Sequence, residues 1–296
     1  MDVLEKCNLC YRNCLVNRYE NTGYCKQTNN IRIAKACLTY YEEPCISNTK
    51  GSGTIFFSGC NLGCIYCQNN KISSKNYGKN ITSNELANIM INLQNEGAIN
   101  INLVTPTPHI IGIKEAIIKA KKLGLHIPII YNTGTYENIN SLKLLDGLID
   151  VYLPDLKYYN DDYAIKYSNC NNYFNIATNN IKEMYKQVGN IEFDKDGNIK
   201  KGIIVRHLLL PTLKNDSKKI IKYLYDTYQD NIYISIMNQY TVMKKFKYQE
   251  LNHKVKDKDY NEVIDYAISL GIKNAYCQLD NTSNKNYIPD FDLEGV

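Results

Sequence analysis

From residue 51 onward, short apolar runs alternate with stretches whose apolar residues recur at helical spacing. Gly51–Ser52–Gly53 breaks the chain before the first run, Thr54–Ile55–Phe56–Phe57–Ser58, which has the length of a strand. Thr82 and Glu85 have capping-box spacing, and Leu86, Ile89, Met90 and Leu93 follow on one helical face. Ile101–Asn102–Leu103–Val104 reads as a second strand, stopped by Pro106 and Pro108. Ile113, Ala116, Ile117 and Ala120 mark a helix that Gly124 closes. Residues 127–131 predict a third strand, Leu142 and Leu145 a short helix, and residues 149–153 a fourth strand. A helix follows over 171–187, and Asp196–Gly197 is a hairpin turn signal between Ile191–Phe193 and Ile199. Residues 203–210 and 232–236 are the fifth and sixth strands. Helices marked by Ile220, Ile221, Leu224 and Tyr228, and by Val263, Tyr266, Ala267 and Leu270, alternate with them. Such alternation predicts an α/β fold with a parallel sheet. Six units starting at residue 54 suit a partial or full barrel, whose reactive groups gather at the carboxyl ends of the strands.

The cysteines change the picture. There are eleven, and nine precede residue 68. One group is Cys7, Cys10, Cys14 and Cys25; another is Cys60, Cys64 and Cys67; Cys37 and Cys45 lie between them. The division read from this texture is a Cys-rich N-terminal segment (1–50), a barrel core (51–280) and a C-terminal tail (281–296). The chain is long, the count is odd, and Met1–Lys6 does not open a signal peptide. Together with the lack of an apolar run near the roughly 18 residues of a membrane span, this predicts a cytoplasmic protein with reduced thiols and no membrane partner. Lys plus Arg exceed Asp plus Glu by 35 to 30, a surplus that no segment concentrates. A nucleic-acid partner is therefore not expected, and the basic stretch Lys244–Lys258 reads as a solvated face.

Gly59–Cys60–Asn61–Leu62–Gly63–Cys64–Ile65–Tyr66–Cys67 follows the first strand. Cysteines at i, i+4 and i+7 in a Gly-containing loop can converge on one iron–sulfur cluster, for which thiolates are suited. Three thiolates hold three irons of a [4Fe–4S] cube and leave the fourth open. A zinc knuckle would need a fourth ligand, and none is close in sequence. This spacing resembles the radical S-adenosylmethionine (AdoMet) superfamily. The segments Glu43–Pro44–Cys45–Ile46–Ser47, Gly51–Asn61, Asn100–Thr107, Tyr152–Leu153–Pro154–Asp155 and Val205–Arg206–His207 extend the resemblance over essentially the whole chain. They are similar to a bacterial and archaeal subfamily labelled pyruvate formate-lyase activating enzyme-like.

The resemblance implies a partial (β/α)6 TIM-like barrel, a [4Fe–4S] cluster on Cys60, Cys64 and Cys67, and AdoMet on the open iron. Reductive AdoMet cleavage would yield a 5′-deoxyadenosyl radical that takes hydrogen from a protein or small-molecule substrate. The reductant would be a donor such as flavodoxin or ferredoxin. It also implies roles in holding AdoMet. Tyr66 would pack near the adenine, Asn132 would sit in a ligand-binding turn, and Arg206 would reach the adenosine. Lys157 would neutralise the AdoMet carboxylate beside Asp155, with a strand-end ion pair as the alternative. Gln239–Tyr240 would close the adenine side. Where many members carry a Gly-Gly-Glu-like turn for the AdoMet amino group, this chain has Val104–Thr105–Pro106–Thr107–Pro108, so Thr105 and Thr107 are the stand-ins. His109 is either a substrate acid or base or a structural residue.

Cys7, Cys10, Cys14 and Cys25 supply four thiolates in a loop-rich stretch, enough for a zinc ion or a second iron–sulfur cluster. If they converge on one metal, their sulfurs must lie within roughly 4 Å of one another; dispersed sulfurs would make the segment only a cover for the barrel. Cys170 and Cys277 read as isolated buried residues. Two rival readings remain at this level. One is radical AdoMet modification of a nucleic acid or peptide. The other is a non-enzymatic metal-binding or electron-transfer module, which would need neither the alternating units nor an open iron.

Overall fold

The computed structural model describes residues 2–278 and 289–296. Its first strand, β1 (Ile31–Thr39), lies before the region of regular alternation and was not foreseen. A single turn, α1 (Pro44–Ser47), begins with Pro44, whose missing N–H has no partner to lose there. Strand β2 (Ser52–Phe57), the turn α2 (Asn70–Ser73) and the short strand β3 (Lys79–Ile81) follow. Helix α3 (Ser83–Asn95) starts with the expected capping box: Glu85 N–H donates to Thr82 Oγ1 (3.2 Å) and Thr82 N–H to Glu85 Oε2 (2.7 Å). Next come β4 (Ile101–Val104), α4 (Ile110–Lys122), β5 (Ile129–Thr133), α5 (Ile139–Lys143) and β6 (Val151–Pro154). Helix α6 (Asp161–Ser168) has little apolar face to announce it, and the Asn160 side chain caps it. The chain continues through α7 (Tyr173–Val188), β7 (Glu192–Phe193), β8 (Ile199–Leu208), α8 (Lys214–Tyr228), β9 (Tyr233–Met237), α9 (Asp257–Ser269) and β10 (Ala275–Cys277). The Asp196–Gly197 turn joins β7 to β8 as an antiparallel hairpin.

The six expected strands are β2, β4, β5, β6, β8 and β9, and they pair in parallel in that order. Strand β10 extends the parallel run on one side, while β1 and β3 add antiparallel strands on the other. The sheet is therefore open, with β10 and β3 at its edges among the described residues. The N-terminal segment is not external to this sheet, because β1 pairs with β2 along most of its length. Residues 281–288 of the expected tail lie outside the described residues; Phe291 is buried, and Leu293 N–H donates to Ala34 O. No described helix is long and apolar enough to cross a membrane.

Side chains alternate across each strand, so the sheet has two buried faces. Ile129, Tyr131, Tyr152, Ile203 and Val205 belong to the large core that includes the helices. Ile130, Val151, Leu153 and Ile204 point the other way and pack with Cys45 and Ile46 of α1. The β1–β2 connection thus covers the face of the sheet opposite the large core. Asn100 Nδ2 donates to Ile46 O (2.6 Å) and anchors this plug.

Candidate active site

The cysteine loop leaves the carboxyl end of β2 through Gly59, which has φ +82°. A Cβ there would lie 2.5 Å from Gln27 Nε2 and 2.7 Å from Cys25 O, so the turn needs glycine twice over. Gly63 N–H donates to Ser168 O (3.1 Å), Ile65 N–H to Tyr167 O (2.9 Å) and Arg12 Nε to Asn61 O (2.7 Å). The sulfurs receive their own bonds. The Ser168 hydroxyl donates to Cys64 Sγ (2.9 Å), Leu62 N–H to Cys60 Sγ (3.4 Å), and Ser73 Oγ lies 3.2 Å from Cys67 Sγ. Burial, then the neighbouring thiols, push the Cys60 and Cys67 thiols above the ordinary range. Burial opposes the thiolate form at Cys60 and Cys67, a cost that a cation beside them would offset, and this set of three thiol donors fits a cluster of iron with one open position.

The loop opens on a cavity of about 450 Å³ at the carboxyl ends of the strands. The period of two along each strand explains what else reaches it. Asn132, one residue before the end of β5, shares the face of Ile130, Asp155 follows Leu153 on the same face, and Arg206 follows Ile204. All three line the cavity, together with Cys60, Cys64, Cys67, Tyr66, Thr105, Lys157, Gln239 and Tyr240. Lys157 Nζ donates to Asp155 Oδ2 (2.6 Å). Although burial opposes its charge, Asp155 and then Cys64 hold the Lys157 ammonium well above its usual range. Gly134 lies beside them, and a Cβ there would meet Leu62 Cδ1 at 2.4 Å.

Two expected residues are elsewhere. Thr107 begins a short 3-10 turn and is buried, its hydroxyl donating to Glu137 Oε1 (2.6 Å). It is consumed by the core and does not line the cavity, so only Thr105 stands there. His109 is buried against Phe57, and its Nε2 lies 2.8 Å from Ser58 O. Burial lowers its pKa to about 3 and keeps it neutral; it is structural, not an acid or base facing the cavity. Cys170 is buried as expected, but Cys277 is exposed on the edge strand β10.

The structure adds residues that local patterns did not single out. Arg206 is clasped by both Glu42 and Glu43, with Nε donating to Glu43 Oε1 (2.9 Å). Burial would raise the Glu43 carboxyl, but the Arg206 guanidinium overrides it and holds it below the usual range. Tyr66 Oη lies 2.6 Å from Tyr158 Oη, which lies 2.7 Å from Ser168 Oγ, so a chain of hydroxyls ends on Cys64 Sγ. The Glu43–Pro44 motif and the aromatic residue after Asp155–Leu156–Lys157 were legible as residues, but their partners were not.

Cys7, Cys10, Cys14 and Cys25 are all free thiols and line one small pocket with Arg12, Arg18 and Tyr24. Burial pushes the Cys10 thiol up to about 12, and the other three thiols act in the same direction. Among the described residues, no three His, Cys, Asp or Glu side chains are grouped to hold a single metal ion, in this pocket or at Cys60, Cys64 and Cys67. The tight sulfur grouping expected of four ligands on one shared metal is therefore absent among the described residues.

The chain is 28% identical to the uncharacterized protein MJ0674 of Methanocaldococcus jannaschii over 286 residues, covering 93% of this chain and 78% of that protein. Its fold is similar to that of Streptococcus suis SuiB bound to S-adenosylmethionine (TM-score 0.50, 12% identity, covering 75% of this chain and 48% of that one). It is also similar to native anSMEcpe with bound AdoMet (TM-score 0.51, 16% identity, 74% and 61% covered). The chain thus spans less than two thirds of either solved structure, and the likeness is one of fold. Residues 54–224, which run from the first parallel strand through the cysteine loop to α8 and make up more than half of the chain, match the sequence model of the Radical SAM superfamily, and the protein belongs to that superfamily.

Proposed function

We propose that this protein is a radical AdoMet enzyme of the glycyl-radical-activating type, acting on a protein substrate. Membership of the superfamily implies a [4Fe–4S] cluster and AdoMet. The observation that carries the reading is the shared cavity: three half-buried thiols and the Asp155–Lys157 pair open on the same 450 Å³ space. Cys60, Cys64 and Cys67 would hold the cluster, which when bound supplies the electron for AdoMet cleavage and the radical chemistry that follows.

The remaining work belongs to the chain. The Lys157 ammonium, already held charged by Asp155, is suited to an AdoMet carboxylate. Tyr66 and Tyr240 meet edge to face (6.1 Å between centroids) and offer an aromatic wall for the adenine. Thr105, Asn132 and Arg206 line the space between and present polar groups to the ribose and amino group. Arg206 is already held by Glu42 and Glu43, so its part is to shape the wall and not to add an unpaired charge. The Asp-x-Lys at the end of β6 is the feature shared with activating enzymes. The reductant would be a flavodoxin or ferredoxin.

The test is anaerobic. Reconstituted, reduced protein should form 5′-deoxyadenosine from AdoMet and, with its partner protein, produce a glycyl radical signal in electron paramagnetic resonance. No 5′-deoxyadenosine would sink the enzyme assignment. Formation of 5′-deoxyadenosine with hydrogen taken from a small molecule or a peptide side chain would overturn the activating type alone.

A further inference from the structure

The N-terminal pocket lies apart from the cavity at the barrel mouth, yet it gathers four thiols. Four free thiols from a 19-residue stretch line it. Residues 2–30 contain no helix or paired strand beyond one isolated bridge at Cys10. Only Leu4 and Leu9 among their apolar side chains are buried. Two such side chains bury far too little to offset the ordering of about thirty residues, at roughly 1–2 kcal/mol each. Something else must hold this segment in place.

Arg18 points to what that is. It is 2% exposed and lines the same pocket. Its two terminal nitrogens are satisfied, one donating to Pro108 O (2.6 Å) and the other to Thr28 O. Its Nε is buried with no partner. A buried guanidinium N–H without an acceptor is costly, and Arg18 lines the pocket of the four thiols, close enough to Cys25 to favour its thiolate. Four thiolates on a dipositive metal core retain two negative charges, which a buried guanidinium with a spare N–H is suited to offset.

We propose that Cys7, Cys10, Cys14 and Cys25 ligate a second, thiolate-bound metal centre whose negative charge is stabilised by Arg18. A zinc ion and an iron–sulfur cluster share this ligand chemistry. The absence of a tight three-residue grouping applies to both cysteine sets, and it suits thiolates that each bind a different iron more than thiolates that close on one ion. The centre also braces the barrel loop. Arg12, on the same pocket, donates to Asn61 O and to Asn169 O (2.6 Å), and Gly59 packs on Cys25 O.

The experiment uses the full chain carrying Cys60→Ala, Cys64→Ala and Cys67→Ala, so its outcome does not depend on the reading of the barrel mouth. One arm is reconstituted anaerobically with iron and sulfide, the other with zinc alone, and folding is checked by circular dichroism. We expect about four irons with sulfide per chain, or about one zinc. That metal should disappear when Cys10→Ala and Cys25→Ala are added. Arg18→Gln should speed metal loss to a chelator about tenfold, the kinetic equivalent of one charged hydrogen bond. A folded triple variant that retains no metal in either arm overturns the proposal, as does metal that persists without Cys10 and Cys25. If the triple variant does not fold, the wild-type chain decides: about eight irons, or about four irons and one zinc, support a second centre, and about four irons alone overturn it.

Discussion

The two cysteine groups use the same side chain to opposite ends. Cys60, Cys64 and Cys67 sit on a loop that a parallel sheet delivers to the edge of a 450 Å³ cavity. Cys7, Cys10, Cys14 and Cys25 line a pocket of about 20 Å³ and stand in for a core. Three thiols beside a large space have room for a reactant; four thiols beside a small one have none. The difference between an open and a closed site therefore lies in the surrounding fold as much as in the number of thiols.

The largest effect separates the two groups directly. Cys60→Ala, Cys64→Ala or Cys67→Ala should each reduce 5′-deoxyadenosine formation to background, measured by chromatography after anaerobic reduction. Cys10→Ala should instead leave measurable cleavage and lower the midpoint of thermal unfolding. Equal loss in both would show that the two regions act as one unit.

The second prediction concerns the plug that joins them. Glu43→Gln removes one partner of a buried pair, since Glu43 and Arg206 are both largely buried. Because Glu42 still pairs with Arg206, losing this one charged hydrogen-bonding partner is expected to lower stability by about 1.5–3 kcal/mol, read from urea unfolding. A loss below about 1 kcal/mol, the range of exposed pairs, would mean that water reaches Arg206 and that the wall of the cavity is softer than drawn.

Lys157→Ala sharpens the contrast on the cavity side. Loss of a charged hydrogen bond is expected to weaken AdoMet binding by about 1.5–3 kcal/mol, roughly ten- to a hundredfold, with iron content unchanged. Calorimetry that finds equal affinity would return Asp155–Lys157 to the status of a strand-end ion pair.

A further prediction is one of pH. Burial holds His109 and His207 neutral, with pKa values lowered to about 3 and about 4 from an ordinary 6.5. Below pH 6.5 the unfolded chain binds protons that the folded chain refuses. Stability should then fall as pH drops from 6.5 toward 4, by up to about 1.4 kcal/mol per pH unit for each histidine. His109→Gln should reduce that slope. An unchanged slope in acid unfolding would show that His109 titrates in the folded state.

Much of this architecture could be read before any coordinates. The six parallel strands were visible because apolar runs of strand length alternated with helical patterns, and Thr82 with Glu85 marked the start of α3. Strand β1 escaped because it precedes the regular alternation and pairs antiparallel with β2, a partner whose own pattern suggested only parallel neighbours. Thr107 was misplaced by one step of the chain. A loop residue next to a strand end can face the cavity or the core, and Glu137 drew its hydroxyl inward.

By itself the sequence determined the chemistry that is local: three thiols at i, i+4 and i+7 after a strand, four more within a short loop-rich stretch, and an Asp-x-Lys two residues apart on one face. Those features depend on identity and spacing within a few residues, which the backbone geometry of strand and turn preserves. Only the tertiary structure decided the rest. Arg206 meets Glu43 across 163 residues, Arg18 brings a buried, unpartnered Nε to the pocket of the N-terminal thiols, and His109 is buried where it cannot serve the cavity. Such contacts arise when distant segments are packed together, and their energies depend on burial and on the absence of water, which no local pattern of residues specifies.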